Sequence, residues 1–142
     1  MRDKQMGERE LAVNIQLLQE QAKILASNVE MLSMYHQELT TSKLTIEGLK
    51  TLKKGDEILV PVGASSFIRA RIDDTEKVIV GIGADVSVDR TIEEAAKNLE
   101  ERISSTEERI RENQENYMKV AARIEELTAE VRKILGEKGE NV

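Results

Sequence analysis

TIEEAAKNLEERISSTEERIRENQENYMKVAARIEELTAEVRKILG, residues 91–136, sets Ile92, Ala96, Leu99, Ile103, Thr106, Ile110, Asn113, Tyr117, Val120, Ile124, Leu127, Val131 and Ile134 at alternating steps of four and three. A 3.5-residue period held that long is the signature of a coiled-coil seam, because it keeps one face of a slightly under-wound helix on its partner. Only Thr106 and Asn113 are polar in the series. Single polar seam positions set register or partner choice. The start is well marked: Thr91 with Glu94 three residues on makes a capping box, and Glu93 adds first-turn negative charge. Arg132 and Lys133 before Gly136 suit a helix end, which predicts a helix over 91–136.

The same period appears near the N-terminus. Leu11, Ile15, Leu18, Ala22, Leu25, Val29 and Leu32 alternate steps of four and three, and the frame continues through His36, Leu39, Lys43 and Ile46. It then shifts to Leu49 and Leu52, while Lys50, Lys53 and Lys54 before Gly55 read as a C-terminus. This predicts a helix over 8–54. The two helices are each about 44 residues long, roughly 65 Å at helical rise. Equal helices on either side of a connector predict an antiparallel coiled-coil hairpin, with Leu11 and Ile15 near Val131 and Leu127, far from the connector.

The connector, 55–90, reads as β. Ile58 to Val62 is a short strand in which Pro61 marks an edge. Gly63-Ala64-Ser65 turns into Phe67 to Ile72, which alternates apolar and polar positions. After the turn at Asp73-Asp74-Thr75-Glu76, Lys77 to Gly83 is apolar on both faces and reads as a central strand. Val86-Ser87-Val88 follows Ala84-Asp85 as a fourth strand, giving two hairpins in a mainly α chain. So small a sheet is not stable alone, and its open edges invite aggregation. Closure into an oligomeric β-barrel with copies or homologues solves both problems. The strand residues Ile58, Val60, Val62, Ile68, Ile72, Val78, Val80, Ile82, Val86 and Val88 are the candidate assembly positions.

Composition agrees with extended helices. The 142 residues are 39% hydrophobic and 34% charged, with two Tyr, one Phe and no Trp. A globular core would use more aromatics, because each buries a large apolar area. A net charge of −6 with no basic stripe disfavours nucleic acid and anionic membranes, both of which are held through cationic side chains. No apolar run approaches the ~20 residues needed to span a bilayer, and Met1 to Glu10 is polar, so a cytoplasmic protein is expected. Cysteine is absent, which removes disulfides, thiolate metal sites and Cys nucleophiles.

Enzyme signatures are missing too. There is no phosphate-binding GxxxxGK[ST] loop, and Gly81-Ile82-Gly83 lacks the third glycine of a dinucleotide fingerprint, so these glycines read as easing strand twist. His36 is the single histidine, on the seam frame, where register is its simplest role. The paired glutamates at 93/94, 100/101, 107/108 and 125/126 read as solvated surface charge. No catalytic residue, metal site or cofactor is expected.

Apolar residues off the seam are the informative anomaly. Val13, Leu17, Ile24, Met31 and Met34 lie on other faces of the first helix, where a two-stranded hairpin should be polar. They imply padding against a neighbouring helix or an exposed adaptable surface, a role that flexible, polarisable methionine suits. Val13, Leu17 and Leu18 fall at the expected free end, beside Val131, Ile134 and Leu135.

The layout resembles the prefoldin family, specifically its archaeal α-type subunits. The resemblance covers essentially the whole chain and rests on Ile58-Leu59-Val60-Pro61-Val62-Gly63-Ala64-Ser65-Ser66 in the first hairpin. It rests equally on Val80-Gly81-Ile82-Gly83-Ala84-Asp85-Val86-Ser87-Val88 in the second and on Ile92-Glu93-Glu94-Ala95 at the helix start. Two hairpins rather than one point to an α-type chain. The resemblance implies one prefoldin-like domain over 1–142, in a hexamer of two α-type and four β-type subunits whose hairpins close a double β-barrel. It further implies an ATP-independent holdase whose coiled-coil tips capture unfolded proteins and pass them to a group II chaperonin. Client contacts would then fall on Val13, Leu17, Leu18, Val131, Ile134 and Leu135. The competing expectation is a structural coiled-coil tether that dimerises through its β segment.

Overall fold

The structure is a computed structural model that describes residues 7–140, with side chains described through Gly136. Helix α1 spans Glu8–Gly48 and ends in a single 3₁₀ turn at Leu49–Thr51. Strands β1 (Glu57–Gly63), β2 (Ser66–Arg71), β3 (Lys77–Gly83) and β4 (Val86–Thr91) follow, and helix α2 runs Ile92–Glu140. The chain divides into two compact units: one holds the residues up to Met34 and from Glu107 onward, the other Tyr35–Thr106.

In the first unit α1 and α2 pair antiparallel along the expected seam. Leu11 and Leu127 are 1% exposed, Val120 is buried, and Ile15, Leu18, Leu25, Val29 and Leu32 are half-buried opposite Ile110, Ile124, Val131 and Ile134. The polar seam residue Asn113 is satisfied twice. Its Oδ1 accepts from Asn28 Nδ2 at 3.5 Å across the pair, and its Nδ2 donates to the Arg109 carbonyl at 2.8 Å. Tyr117 departs from the pattern. Although on the seam frame it is exposed, lining open grooves beside Ala22 and Ala26.

In the second unit the core gathers where the strands meet the helices: Leu39, Ile92, Ala95 and Leu99 are buried. Thr106 is buried as well, and its hydroxyl donates to the Arg102 carbonyl one turn back at 2.7 Å, so no partner across the pair is needed. Across the antiparallel helices Lys43 meets Glu100 at 3.7 Å, and Arg102 donates to the Tyr35 hydroxyl while its guanidinium lies 5.6 Å from the ring centroid. The start of α2 is capped as expected, Thr91 Oγ1 accepting the Glu94 amide at 3.1 Å.

Both helix ends differ from the sequence expectation. The first helix stops as α-helix at Gly48, and Leu52 is already extended with φ −99° and ψ 158°. Lys53, Lys54 and Gly55 serve a different turn. Gly55 takes φ 91°, Asp56 donates to the Lys53 carbonyl at 3.0 Å, and the Asp56 carboxylate accepts the Lys53 amide at 2.8 Å. The turn starts the first hairpin, clamped at its base where Gly55 N donates to Ile72 O at 2.7 Å and Ile72 N to Asp56 O at 2.9 Å. At the other end α2 runs through Gly136 to Glu140. A helix-ending glycine takes positive φ, and Gly136 does not. A glycine within a helix costs about 1 kcal/mol relative to alanine, which weakens the helix without ending it.

The strands form two separate two-stranded ribbons, β1 with β2 and β3 with β4, both antiparallel. The expected central strand, β3, pairs with β4 alone, because one chain supplies each strand with only one neighbour. The hairpins repeat one design. Gly63↔Ser66 and Gly83↔Val86 close two-residue turns after register shifts at Pro61/Gly63 and Gly81/Gly83. The turn residues Ala64, Ser65, Ala84 and Asp85 all have φ between 49° and 60°, the mirror-image turn whose twist matches the flanking strands. Gly63 and Gly83, at φ 105° and 109°, are left-handed positions that favour glycine.

Candidate functional site

Two surfaces stand out, one in each unit. The first lies on the ribbons. Alternation along β1 and β3 turns Ile58, Val60, Val78 and Val80 to a half-buried face, shared with Val88 of β4. Val62, Ile68, Ile82 and Val86 are exposed, and Ile72 is half-buried just beyond β2. Cross-strand pairs Val60↔Ile68 and Val80↔Val88 make the apolar rungs of each ribbon. Sequence reasoning missed Leu59, Phe67 and Ile79 on the ribbons, of which Ile79 is 77% exposed. The signal was present: a strand apolar on both faces demands cover on both faces, whichever residues one face claims.

The turn feeding β3 is built by Asp74. Its carboxylate accepts the amides of Glu76 at 2.8 Å and Lys77 at 3.2 Å, and these two bonds, with a smaller attraction to Lys77 and Lys54, hold its pKa below the ordinary value. Glu76 in turn accepts the Ile92 amide on its carbonyl at 3.1 Å, so the Asp74 turn fixes where α2 begins.

The second surface lies on the paired helices of the first unit. Of the residues expected at a client-binding end, Val13, Leu17 and Leu135 are exposed, whereas Leu18, Val131 and Ile134 are half-buried in the seam and show only part of their side chains. Ile24, Met31 and Met34 continue the exposed apolar surface along α1, and Met118 is exposed separately on α2. The adjoining groove between Ala26, Val29, Tyr117 and Met118 is open, about 400 Å³, and apolar apart from Gln114. Such a surface offers contact area without directional chemistry. Among the described residues no cluster of three His, Asp or Glu could hold a metal, and no helix is long and apolar enough to cross a membrane.

Comparison with known proteins gives a consistent picture. The sequence model of the family described as "Prefoldin subunit" matches residues 18–137. The chain is 37% identical to prefoldin subunit alpha of Methanosphaera stadtmanae over 139 residues, covering 98% of this chain and 99% of that one. It is 42% identical to prefoldin subunit alpha 1 of Thermococcus kodakarensis over 90 residues, 63% of this chain and 62% of the relative. The chain thus spans less than two thirds of the length of that relative, as it does for others of the curated relatives it matches. Among solved structures it is similar to a chain of the filamentous PFD from Methanocaldococcus jannaschii, with TM-score 0.71 and 28% identity over 82% of this chain and 97% of that chain.

Proposed function

The chain belongs to the prefoldin family of chaperones, and on that premise we propose that it is an α-type subunit of an ATP-independent holdase. The observation that carries the reading is the exposed apolar surface on Val13, Leu17 and Leu135, borne by paired helices that need none of it for their own seam. Val13, Leu17, Leu18, Val131, Ile134 and Leu135 contact non-native clients. The ribbons, with Ile58, Val60, Val62, Ile68, Ile72, Val78, Val80, Ile82, Val86 and Val88, close with those of neighbouring subunits into a β-barrel platform. The whole chain is then a single prefoldin-like domain, working in the cytoplasm without cofactor or catalysis.

Physical chemistry supports this division of labour. Two-stranded ribbons with open edges are marginal alone and gain their stability from assembly. Several weak apolar contacts carried on one assembly raise the effective concentration of each, so a client is held firmly although no single contact is tight. Release then needs no ATP, because a group II chaperonin competes for contacts that are individually modest. The family architecture implies two copies of this chain with four β-type subunits.

Removal of residues 1–18 and 128–142 tests the client assignment. The shortened chain should lose suppression of aggregation of a heat-denatured enzyme and keep its assembled mass. Suppression that survives the truncation rules out these ends as the client surface. Native mass spectrometry of the complex purified with its β-type partners should give two copies of this chain among six. An open series of masses would instead indicate a filament, the form described for the Methanocaldococcus assembly.

A further inference from the structure

Every large apolar side chain that α1 exposes within the first unit, from Val13 to Leu17, Ile24, Met31 and Met34, falls on one stripe, each 55 to 67% exposed. Each sits two residues beyond a seam residue: Leu11, Ile15, Ala22, Val29 and Leu32 in turn. Two residues are about 200° of helix, so the stripe lies opposite α2. Only Glu20 and Ser27, beyond Leu18 and Leu25, interrupt it. Between Leu11 and Met34 the only charged side chains are Glu20, Lys23 and Glu30, whereas the facing part of α2 is densely charged.

We propose that this stripe is a second coiled-coil seam, and that its occupant is α1 of a second copy of this chain, parallel and in register. The period carries the argument. A surface for irregular, non-native chains needs no repeat, but this one keeps the four-three alternation in phase with the buried seam through three heptads, as a partner helix in a supercoiled pair requires. Register follows from the layers. A parallel pair puts like on like, giving apolar layers at Val13, Leu17, Ile24, Met31 and Met34 and one repelling layer at Glu20. An antiparallel pair matches the two kinds of seam position instead, setting Ile24 against Ser27 and Met31 against Glu20, so that Leu17 with Met34 is the only apolar match left. The flanks favour the parallel pair as well, since Lys23 would meet Asn28 and Gln16 would meet Gln21 of the other copy, with no like charges opposed. The two stripes together bury on the order of 1,000 Å², the lower bound of specific association, so the contact is reversible. It would cover the apolar face of idle arms, and it does not depend on how the strands assemble.

The absence of cysteine makes the test clean. Full-length chain carrying Ile24→Cys is equilibrated in a glutathione redox buffer beside Arg111→Cys, which lies on the outer face of α2. A disulfide needs Cα atoms within about 7 Å, which an in-register pair supplies at position 24 and nowhere on α2. The expected result is a yield of covalent dimer about ten-fold higher for Ile24→Cys, from the raised local thiol concentration. Glu20→Leu, which removes the repelling layer, should raise that yield further. A yield no better than that of Arg111→Cys, with helical circular dichroism unchanged, overturns the proposal. So does a mixed Leu17→Cys with Met34→Cys product in excess of the homotypic ones, which marks an antiparallel pair. If Ile24→Lys abolishes client holding while Ile24→Cys shows no excess cross-linking, the stripe serves non-native chains and the pairing is wrong.

Discussion

Asp74 shows how much of the molecule can hang on one carboxylate. It accepts two backbone amides, and the turn it builds delivers Glu76, whose carbonyl takes the first amide of α2. Because the folded state holds its pKa below the ordinary value, its contribution is complete above the unfolded pKa and disappears as pH falls through the lower folded one. An NMR titration of this side chain should therefore give a midpoint below 3.8, the ordinary value. Asp74→Asn should keep the turn, since the amide oxygen still accepts, and remove the acid dependence. Asp74→Ala should remove both and speed hydrogen exchange at the Glu76 and Lys77 amides. A titration midpoint at the ordinary value would mean that the two bonds do not persist in solution. Sequence showed a turn here, from Asp73-Asp74-Thr75-Glu76, but which aspartate caps it depends on the path of the chain, which composition does not encode.

At the scale of elements, the heptads were legible because burial in each unit is one-dimensional. Residues on the seam frame of α1 are buried or half-buried without exception, and on α2 only Tyr117 escapes. Helix ends were less legible because glycine has two uses. Gly55 carried a cap signal and makes a β-turn, and Gly136 carried the same signal and sits inside a helix. The candidate sites were legible only in part. Leu18, Val131 and Ile134 satisfy a surface reading and a seam reading alike, and only packing shows that the seam claims most of each. The hairpin turns fall where Gly63-Ala64-Ser65 and Ala84-Asp85 placed them, but their left-handed geometry was not legible, since neither carries the Asn-Gly signature of that geometry. Left-handed backbone costs an L-residue roughly 1–2 kcal/mol, and glycine's extra freedom in the unfolded chain offsets about 0.5–1 kcal/mol of that. Ala64→Gly and Ala84→Gly should each stabilise by roughly 0.5 kcal/mol, read as a higher Tm. A lower Tm for both would mean that the turns are not left-handed in solution.

For the whole molecule the decisive fact is what one chain leaves uncovered. Helices α1 and α2 satisfy each other through the seam, but the ribbons do not, and Ile79 is the most exposed large apolar residue among those described. It faces Asp89 across its own ribbon, so no strand of this chain offers it apolar cover. Burying an isoleucine is worth about 1.5–3 kcal/mol, and repeated over the ribbons of several subunits this is ample to drive assembly. A lysine at the same place would need to bury a charge in the interface, which opposes assembly by several kcal/mol, yet in the lone chain it would simply stand in water. Ile79→Lys should therefore leave the helical circular dichroism of the paired helices intact while shifting sedimentation toward the monomer. The two effects separate because the first unit has a buried seam of its own at Leu11, Val120 and Leu127, whereas assembly on the proposed platform draws on the ribbons directly. An Ile79→Lys chain that sediments with the wild-type assembly would show that this face of the ribbon stays in solvent, and would move the interface to the half-buried side bearing Val78 and Val80.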